Sequence, residues 1–206
     1  MVYTYISDIT PLFQEDVYRD YYQKLPKQRK EKADKLKRKE NKCQSVGVYS
    51  LYQKIVKEKQ QKESFVYNFS HSGNYVVCSI SEKENSYVGC DIENIKEVKA
   101  TFMNRYYNAE EIRYVEEGEQ EEEKRSRLIR LWTIKESFMK AVRLGSNLAT
   151  KSFTVIIDKK DVPILINKPA AFTDSFGFYS RLYQNQAWIT VCSNDVIEKE
   201  IHVIKL

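Results

Sequence analysis

The chain lacks what a thiolate-metal, secreted or membrane-spanning protein would need. Its 206 residues hold four cysteines, Cys43, Cys78, Cys90 and Cys192, with no CxxC spacing. That argues against a zinc site or a thioredoxin-like motif, and the four are read as buried thiols. The opening run Met1-Val2-Tyr3-Thr4-Tyr5-Ile6-Ser7-Asp8 has neither a basic n-region nor an apolar h-region, so no secretory signal is expected. No stretch approaches the ~18–20 uninterrupted apolar residues of a membrane span. Nothing supplies the nucleophile elbow of a serine hydrolase. These absences predict a soluble, cytoplasmic protein without a membrane partner. What is present suffices for a core: 42% hydrophobic residues, with fifteen Tyr and nine Phe. Wholesale disorder is excluded, and the length allows one large domain or two small ones.

The net charge of +5 hides an uneven distribution. Between Lys24 and Lys62 there are fourteen Lys/Arg against four acids, whereas Glu110 to Glu123 holds eight Glu and the single base Arg113. A basic stretch of this kind suits an anionic ligand, although a solvated lysine-rich helix face has the same composition.

Alternation predicts a strand over Val2–Ile6, and the region from Asp16 to Lys62, interrupted only by Pro26, reads as two or three helices. Strands are expected at Ser64–Phe69, Tyr75–Ser81 and Tyr87–Glu93, with Ser70-His71-Ser72-Gly73-Asn74 as a polar turn. The second half reads as a helix over Thr101–Glu117, an exposed Glu-rich loop around Gly118, and a clear helix over Arg127–Leu144 with Gly145 at its C-cap. Strands and hairpins follow from Ser152. Val77-Cys78-Ser79 and Val191-Cys192-Ser193 echo each other, and each half runs helices before strands. An α+β chain with two similar lobes is expected, 1–97 and 98–206, each with helices on a small antiparallel sheet.

Four segments could carry chemistry. In Gly89-Cys90-Asp91-Ile92-Glu93, strand alternation puts Asp91 and Glu93 on one face and Cys90 and Ile92 on the other. Paired carboxylates suit a hard cation such as Mg²⁺, and equally describe a solvated strand edge. In the helix Leu128–Val142, Glu136 and Lys140 lie one turn apart beside Trp132, where an ordinary ion pair is the simple alternative. Lys135 projects into the apolar arc and must snorkel or meet an anion. Asn68-Phe69-Ser70-His71-Ser72 could bind an anion or merely cap the next element. Arg29 and Lys32 share a helical face and offer a two-pronged phosphate contact.

In combination and in this order, these segments resemble the 4′-phosphopantetheinyl transferases of the longer, two-lobed Sfp-like type. Val88–Glu93 resembles that family's metal-binding strand, and Trp132-Thr133-Ile134-Lys135-Glu136-Ser137-Phe138-Met139-Lys140 its signature helix. Asn68–Ser72 is similar to its NxSHS turn, and Ser152–Val155 to the strand after the helix. The resemblance implies transfer of the phosphopantetheine arm of coenzyme A to a carrier-protein serine, with release of 3′,5′-ADP. It implies that Asp91, Glu93 and Glu136 hold Mg²⁺, with Mn²⁺ as an alternative ion. Glu136, or a water beside it, would accept the serine proton. Lys140 would stabilise or protonate the leaving phosphate, with Lys135 supporting the same anionic site. Arg29, Lys32 and His71 would hold the 3′-phosphate, and Ser70 would line the nucleotide site. Phe102, Arg105, Tyr106 and Tyr107 resemble the segment where an acyl or peptidyl carrier docks, and Glu111 matches a structural glutamate. The site is expected in the cleft between the lobes of a monomer.

The chain departs from the family at three places. Residues 57–64 contain no Gly-Lys-Pro segment, Gln44 stands where a basic residue is usual, and Arg143 replaces a glycine, with Gly145 retained. A coenzyme A- or carrier-binding protein without turnover is the alternative that the first departure suggests. A nucleic-acid-binding module would leave the DxE and WxxKE segments unexplained, so no nucleic-acid partner is expected.

Overall fold

The computed structural model describes residues 1–60, 65–99 and 101–206. Residues 61–64, the end of the basic stretch and of the segment compared with Gly-Lys-Pro, lie outside the described residues. The fold is α+β, as expected. In chain order the elements are β1 (Val2–Asp8), α1 (Glu15–Gln23), α2 (Lys27–Asp34), α3 (Lys39–Glu58), β2 (Val66–Ser72), β3 (Tyr75–Ser81) and β4 (Val88–Asn94). They continue with α4 (Thr101–Tyr106), α5 (Ala109–Glu116), α6 (Glu121–Ala141), β5 (Thr154–Ile157), β6 (Pro163–Ile166), β7 (Gly177–Tyr183), β8 (Ala187–Ser193) and β9 (Ile197–Val203).

Two larger sheets, ordered β2-β3-β1-β9 and β4-β8-β7, each carry one long helix; β5 and β6 form a separate hairpin. Period-two alternation divides the side chains among three cores. Tyr5, Val76, Cys78 and Ile80 face Cys43, Val46, Leu51 and Ile55 of α3. Val2, Ile6 and Val77 face the other way and meet Val88, Cys90, Ile92, Ile189 and Val191 of the second sheet. Cys192, opposite in phase to Val191, packs with Leu131, Ile134 and Phe138 of α6. The layers therefore run α3, first sheet, second sheet, α6.

The sheets cross the expected 97/98 boundary. β4 pairs with β8 of the second half, and β9 from the C-terminal end pairs with β1, in parallel, in an otherwise antiparallel arrangement. Local boundaries also differ in ways that matter. β2 runs through Ser72, pairing Ser70 with Val77 and Ser72 with Tyr75, so the SHS segment is strand rather than turn. Only Gly73, at φ +52°, and Asn74 turn the chain. Helix α6 starts at Glu121, not Arg127, because Glu121, Glu122 and Glu123 form its first turn, where carboxylates favour the helix dipole. Its C-terminus is closed by Arg143 at φ +59°, with Leu144 N donating to Met139 O and Arg143 N to Lys140 O. Arg143 thus takes the left-handed position usual for glycine, and Gly145 opens the next turn. The expected helix over Thr101–Glu117 breaks at Tyr107, and Asn108 caps α5 in a capping box with Glu111.

Candidate active site

Helix α6 is buried almost all round from Leu128 to Ala141, except for Trp132, Glu136 and Lys140. Spaced i, i+4, i+8, these three form one open stripe: Trp132 meets Phe102 and Tyr106 of α4, and Glu136 and Lys140 lie toward β4. The approach is close because β4 carries Gly89 there: a Cβ at that position would lie 1.9 Å from Ser137 O and 2.4 Å from Ala141 N. With the glycine, strand and helix backbones touch, and Asp91 comes within reach of the stripe.

Lys140 Nζ donates to Asp91 Oδ1 at 2.6 Å, to Ser70 Oγ at 3.1 Å and to the Cys90 carbonyl at 3.2 Å. Ser70 Oγ in turn donates to Asp91 Oδ1 at 2.7 Å. The lysine therefore ties β2 to β4 rather than pairing with Glu136 on its own helix. Glu93, on the same face as Asp91, accepts from Ser72 Oγ at 3.1 Å and from Lys96 Nζ at 3.0 Å. Asn68 completes the row: its Oδ1 accepts the Cys90 backbone N–H at 3.0 Å. Asn68, Ser70 and Ser72, two residues apart, thus join the edges of the two sheets through side chains where no ladder forms. Asn68 and Ser72 enter the expected site only as members of the NxSHS segment, without roles of their own; extending the alternation of β2 through Ser72 puts both on the face of Ser70.

Electrostatics ties the stripe to the strand. Burial raises the pKa of Glu136, and the negative charges of Asp91 and Glu93 add to the rise against the pull of Lys140. Burial also raises Asp91, opposed by Lys140 and by hydrogen bonds from Lys140 and Ser70. For Lys140, burial acts downward but the neighbouring Asp91 outweighs it, and the net shift is up. Three carboxylates against the two ammonium groups of Lys140 and Lys96 leave a local excess of negative charge.

That excess is the test of whether the site suits a divalent cation. Asp91 Oδ2 is buried with no hydrogen-bond partner, a costly state for a carboxylate oxygen. The donors are hard oxygens, as Mg²⁺ or Mn²⁺ requires. Among the described residues no group of three or more His, Cys, Asp or Glu is arranged to hold a metal ion, and Lys140 and Lys96 lie on Asp91 and Glu93. Mg²⁺ is usually held by one or two carboxylates with water and substrate phosphate, so the residues present fit it.

A cationic patch borders this wall. His71 extends from the same strand as Ser70 and keeps an exposed edge; crowding by neighbouring atoms lowers its pKa first, then the charges of Lys140 and, more weakly, Lys32, with Glu93 opposing. Arg29 of α2 is half-buried between the rings of Tyr49 and Phe69, 4.9 and 5.7 Å away, and donates to Ser45 O at 3.4 Å. Lys32 is exposed on the same helix. Gln44, where a basic residue was expected, is buried and holds the β2–β3 turn by donating to Gly73 O at 2.9 Å.

Two expected site residues lie elsewhere. Lys135 is fully buried away from the cleft, paired with Glu111 Oε1 at 2.5 Å and donating to Phe153 O at 3.2 Å. Its place on the apolar arc of α6 sends it into the core, where Glu111 also accepts the backbone N–H of Asn108 and Val155. Tyr107 is also buried, donating its hydroxyl to Leu128 O at 2.9 Å, and offers no surface to a partner. The other three docking candidates stay near the site. Phe102 and Tyr106 meet Trp132 edge to face at 4.9 and 5.3 Å, and Arg105 and Tyr106 line a cavity of about 520 Å³ that also reaches Trp132, Glu136 and Met139.

Residues 87–192, more than half of the chain, match the sequence model of the 4′-phosphopantetheinyl transferase superfamily. The chain belongs to this superfamily. It is 36% identical over 102 residues to 4′-phosphopantetheinyl transferase gsp of Aneurinibacillus migulanus, a match covering 50% of this chain and 40% of that protein. With 4′-phosphopantetheinyl transferase Sfp of Bacillus subtilis (strain 168) it shares 30% identity over 89 residues, covering 43% and 38%. The matched part is thus about two fifths of these relatives' own length. Among solved structures, the holo-[acyl-carrier-protein] synthase of Helicobacter pylori in complex with coenzyme A aligns with a TM-score of 0.43 at 19% identity, covering 51% of this chain and 96% of that one. Among the described residues, no helix is long and apolar enough to cross a membrane.

Proposed function

We propose that the chain transfers the 4′-phosphopantetheine arm of coenzyme A to a serine hydroxyl of an apo acyl or peptidyl carrier protein, releasing 3′,5′-ADP. The observation that carries this reading is the meeting of Asp91, Glu136 and Lys140 on one cleft wall beside the Arg29, Lys32 and His71 patch, in a member of this superfamily. Arg29, Lys32 and His71 would hold the 3′-phosphate of coenzyme A, and Ser70 would line the nucleotide site. Asp91, Glu93 and Glu136 would hold Mg²⁺ or Mn²⁺, which would supply positive charge against the oxygens of the pyrophosphate. Burial and its acidic neighbours raise the basicity of Glu136, which suits it to take the proton from the serine hydroxyl as the new O–P bond forms. Lys140 keeps its proton, and its ammonium would balance the charge gathering on the departing phosphate as the pyrophosphate P–O bond breaks. Arg105 and Tyr106, which line the cavity that reaches Glu136, and Phe102, edge-on to Trp132 beside them, would receive the carrier; a basic and aromatic rim suits an acidic amphipathic helix.

The proposal extends to a monomer working in the cytoplasm. Both walls of the site come from one chain, which supports the first, and four free, buried cysteines fit a reducing compartment. Intact-mass spectrometry of apo-carriers incubated with the protein, coenzyme A and Mg²⁺ tests the reaction. A gain of one phosphopantetheine is expected, abolished by EDTA, by Asp91→Ala and by Glu136→Ala. Arg29→Ala with Lys32→Ala should chiefly raise KM for coenzyme A. No transfer to any carrier, with coenzyme A still bound, would overturn this reading in favour of a non-catalytic binding protein.

A further inference from the structure

Arg29 and Lys32 account for only part of the basic stretch from Lys24 to Lys62. Three other members, Lys24, Lys54 and Lys57, gather around a cavity of about 410 Å³ between α1 and α3, which Tyr21, Ser50 and Gln53 also line. On α3, Ser50, Gln53, Lys54 and Lys57 recur at i, i+3, i+4 and i+7 and so share one face. That face lies about a third of a turn around the helix from Ser45 and Tyr49, which meet Arg29. The cavity is therefore separate from the candidate active site. Lys24 and Lys54 bring their ammonium groups over the same ring, 5.3 and 5.8 Å from the centroid of Tyr21. Gln53 Nε2 donates to the Lys24 carbonyl at 3.3 Å and Lys54 Nζ to that of Lys205, so the lining is tied to its surroundings. No carboxylate lines the cavity, and among the described residues none of the three lysines forms an ion pair. Ser50 is the decisive member. It is 4% exposed, and its Oγ is buried with no hydrogen-bond partner among the described residues.

A buried hydroxyl without a partner costs stability, and three gathered ammonium groups without a counter-charge repel one another. One anion with several acceptor oxygens relieves both. A phosphate group fits best, because its three oxygens can take the hydroxyl and more than one ammonium at once. The cavity has the size of a small-molecule site, with room for more than a bare ion. We propose that the Ser50, Lys24, Lys54 and Lys57 cavity between α1 and α3 is a second anion site, which binds a small phosphomonoester. Its phosphate would meet Ser50 and the lysines, and its organic part would lie against the Tyr21 ring and the lysine stems. The site is independent of the transfer reading.

Calorimetric titration with glycerol 3-phosphate and, separately, with inorganic phosphate tests this, both at fixed ionic strength. The host is the full chain carrying Arg29→Ala and Lys32→Ala, which removes phosphate contacts at the candidate active site. One saturable site is expected, tighter for glycerol 3-phosphate than for inorganic phosphate. Adding Ser50→Ala removes a hydrogen bond to a charged group and should weaken both ligands about tenfold to a hundredfold. Lys24→Met with Lys57→Met should also weaken both. In phosphate-free buffer Ser50→Ala should melt no lower than its parent, because it deletes a hydroxyl that the fold leaves unmet. Equal affinity for the two ligands would overturn the ester and assign the site to free phosphate. No saturable binding, affinity unchanged by Ser50→Ala, or a lower Tm for Ser50→Ala without phosphate would each overturn the site.

Discussion

Replacing Gly89 by alanine should separate the two elements that carry the candidate site. The added Cβ would stand 1.9 Å from Ser137 O, 2.4 Å from Ala141 N and 3.0 Å from Ala141 Cα, all backbone atoms that no rotamer change can move. Carbon–oxygen contacts settle at about 3.3–3.6 Å, so β4 and α6 must part by about 1.5 Å. Overpacking a core costs about 1–3 kcal/mol, and a backbone-to-backbone clash belongs at the upper end. For a domain of this size, about 3 kcal/mol lowers Tm by roughly 6–12 °C. Lys140 Nζ and Asp91 Oδ1, 2.6 Å apart, sit on the two separating elements, so a shift of this size breaks their contact. Thermal unfolding by circular dichroism should show the drop, and carrier modification at 20 °C, where the variant remains folded, should fall far more than the folded fraction does. A Tm within 2 °C of wild type, with normal transfer, would refute the claim that this glycine sets the strand–helix distance.

Other perturbations follow from individual contacts. Lys135→Met leaves the Glu111 carboxylate buried without its counter-charge and should cost about 3–5 kcal/mol in urea unfolding; a loss under 1 kcal/mol would count against the buried pair. Arg143→Gly relieves a left-handed residue at the end of α6 and should stabilise by about 1 kcal/mol, visible as a Tm rise of roughly 2–4 °C. Glu136 carries a pKa raised in the folded state, so below about 4.5 both folded and unfolded forms hold the proton and the group contributes nothing. As pH rises past that value the unfolded chain ionises first, and folding loses stability. In EDTA, Glu136→Gln should therefore match wild type near pH 4 and exceed it in stability near pH 7.5. The opposite trend in urea midpoints would show that Glu136 is stabilised, not strained, by its surroundings.

Much of the site was legible because it depends on local spacing. The four-residue steps from Trp132 to Glu136 to Lys140 give one helical stripe whatever the helix packs against, and alternation separates Asp91 and Glu93 from Cys90 and Ile92 in any strand. The α+β class and most strands follow from the same periodicities. The end of β2 did not, because Ser70, His71 and Ser72 have turn-like chemistry and are held extended only by pairing with β3.

What sequence determined was which faces exist; tertiary structure decided what each face meets. Lys140 had Glu136 four residues away, yet it bonds Asp91, because Gly89 lets β4 press against α6. Lys135, one residue from Glu136, points a third of a turn around the helix into the core and meets Glu111 there. Tyr107 looked like surface and is buried because the link between α4 and α5 packs it into the core beside α6, where its hydroxyl donates to the Leu128 carbonyl. Local spacing fixes direction around an element's axis, but a polar group's partner is whichever acceptor lies within about 3 Å, and that distance is set by the packing of residues far apart in the chain.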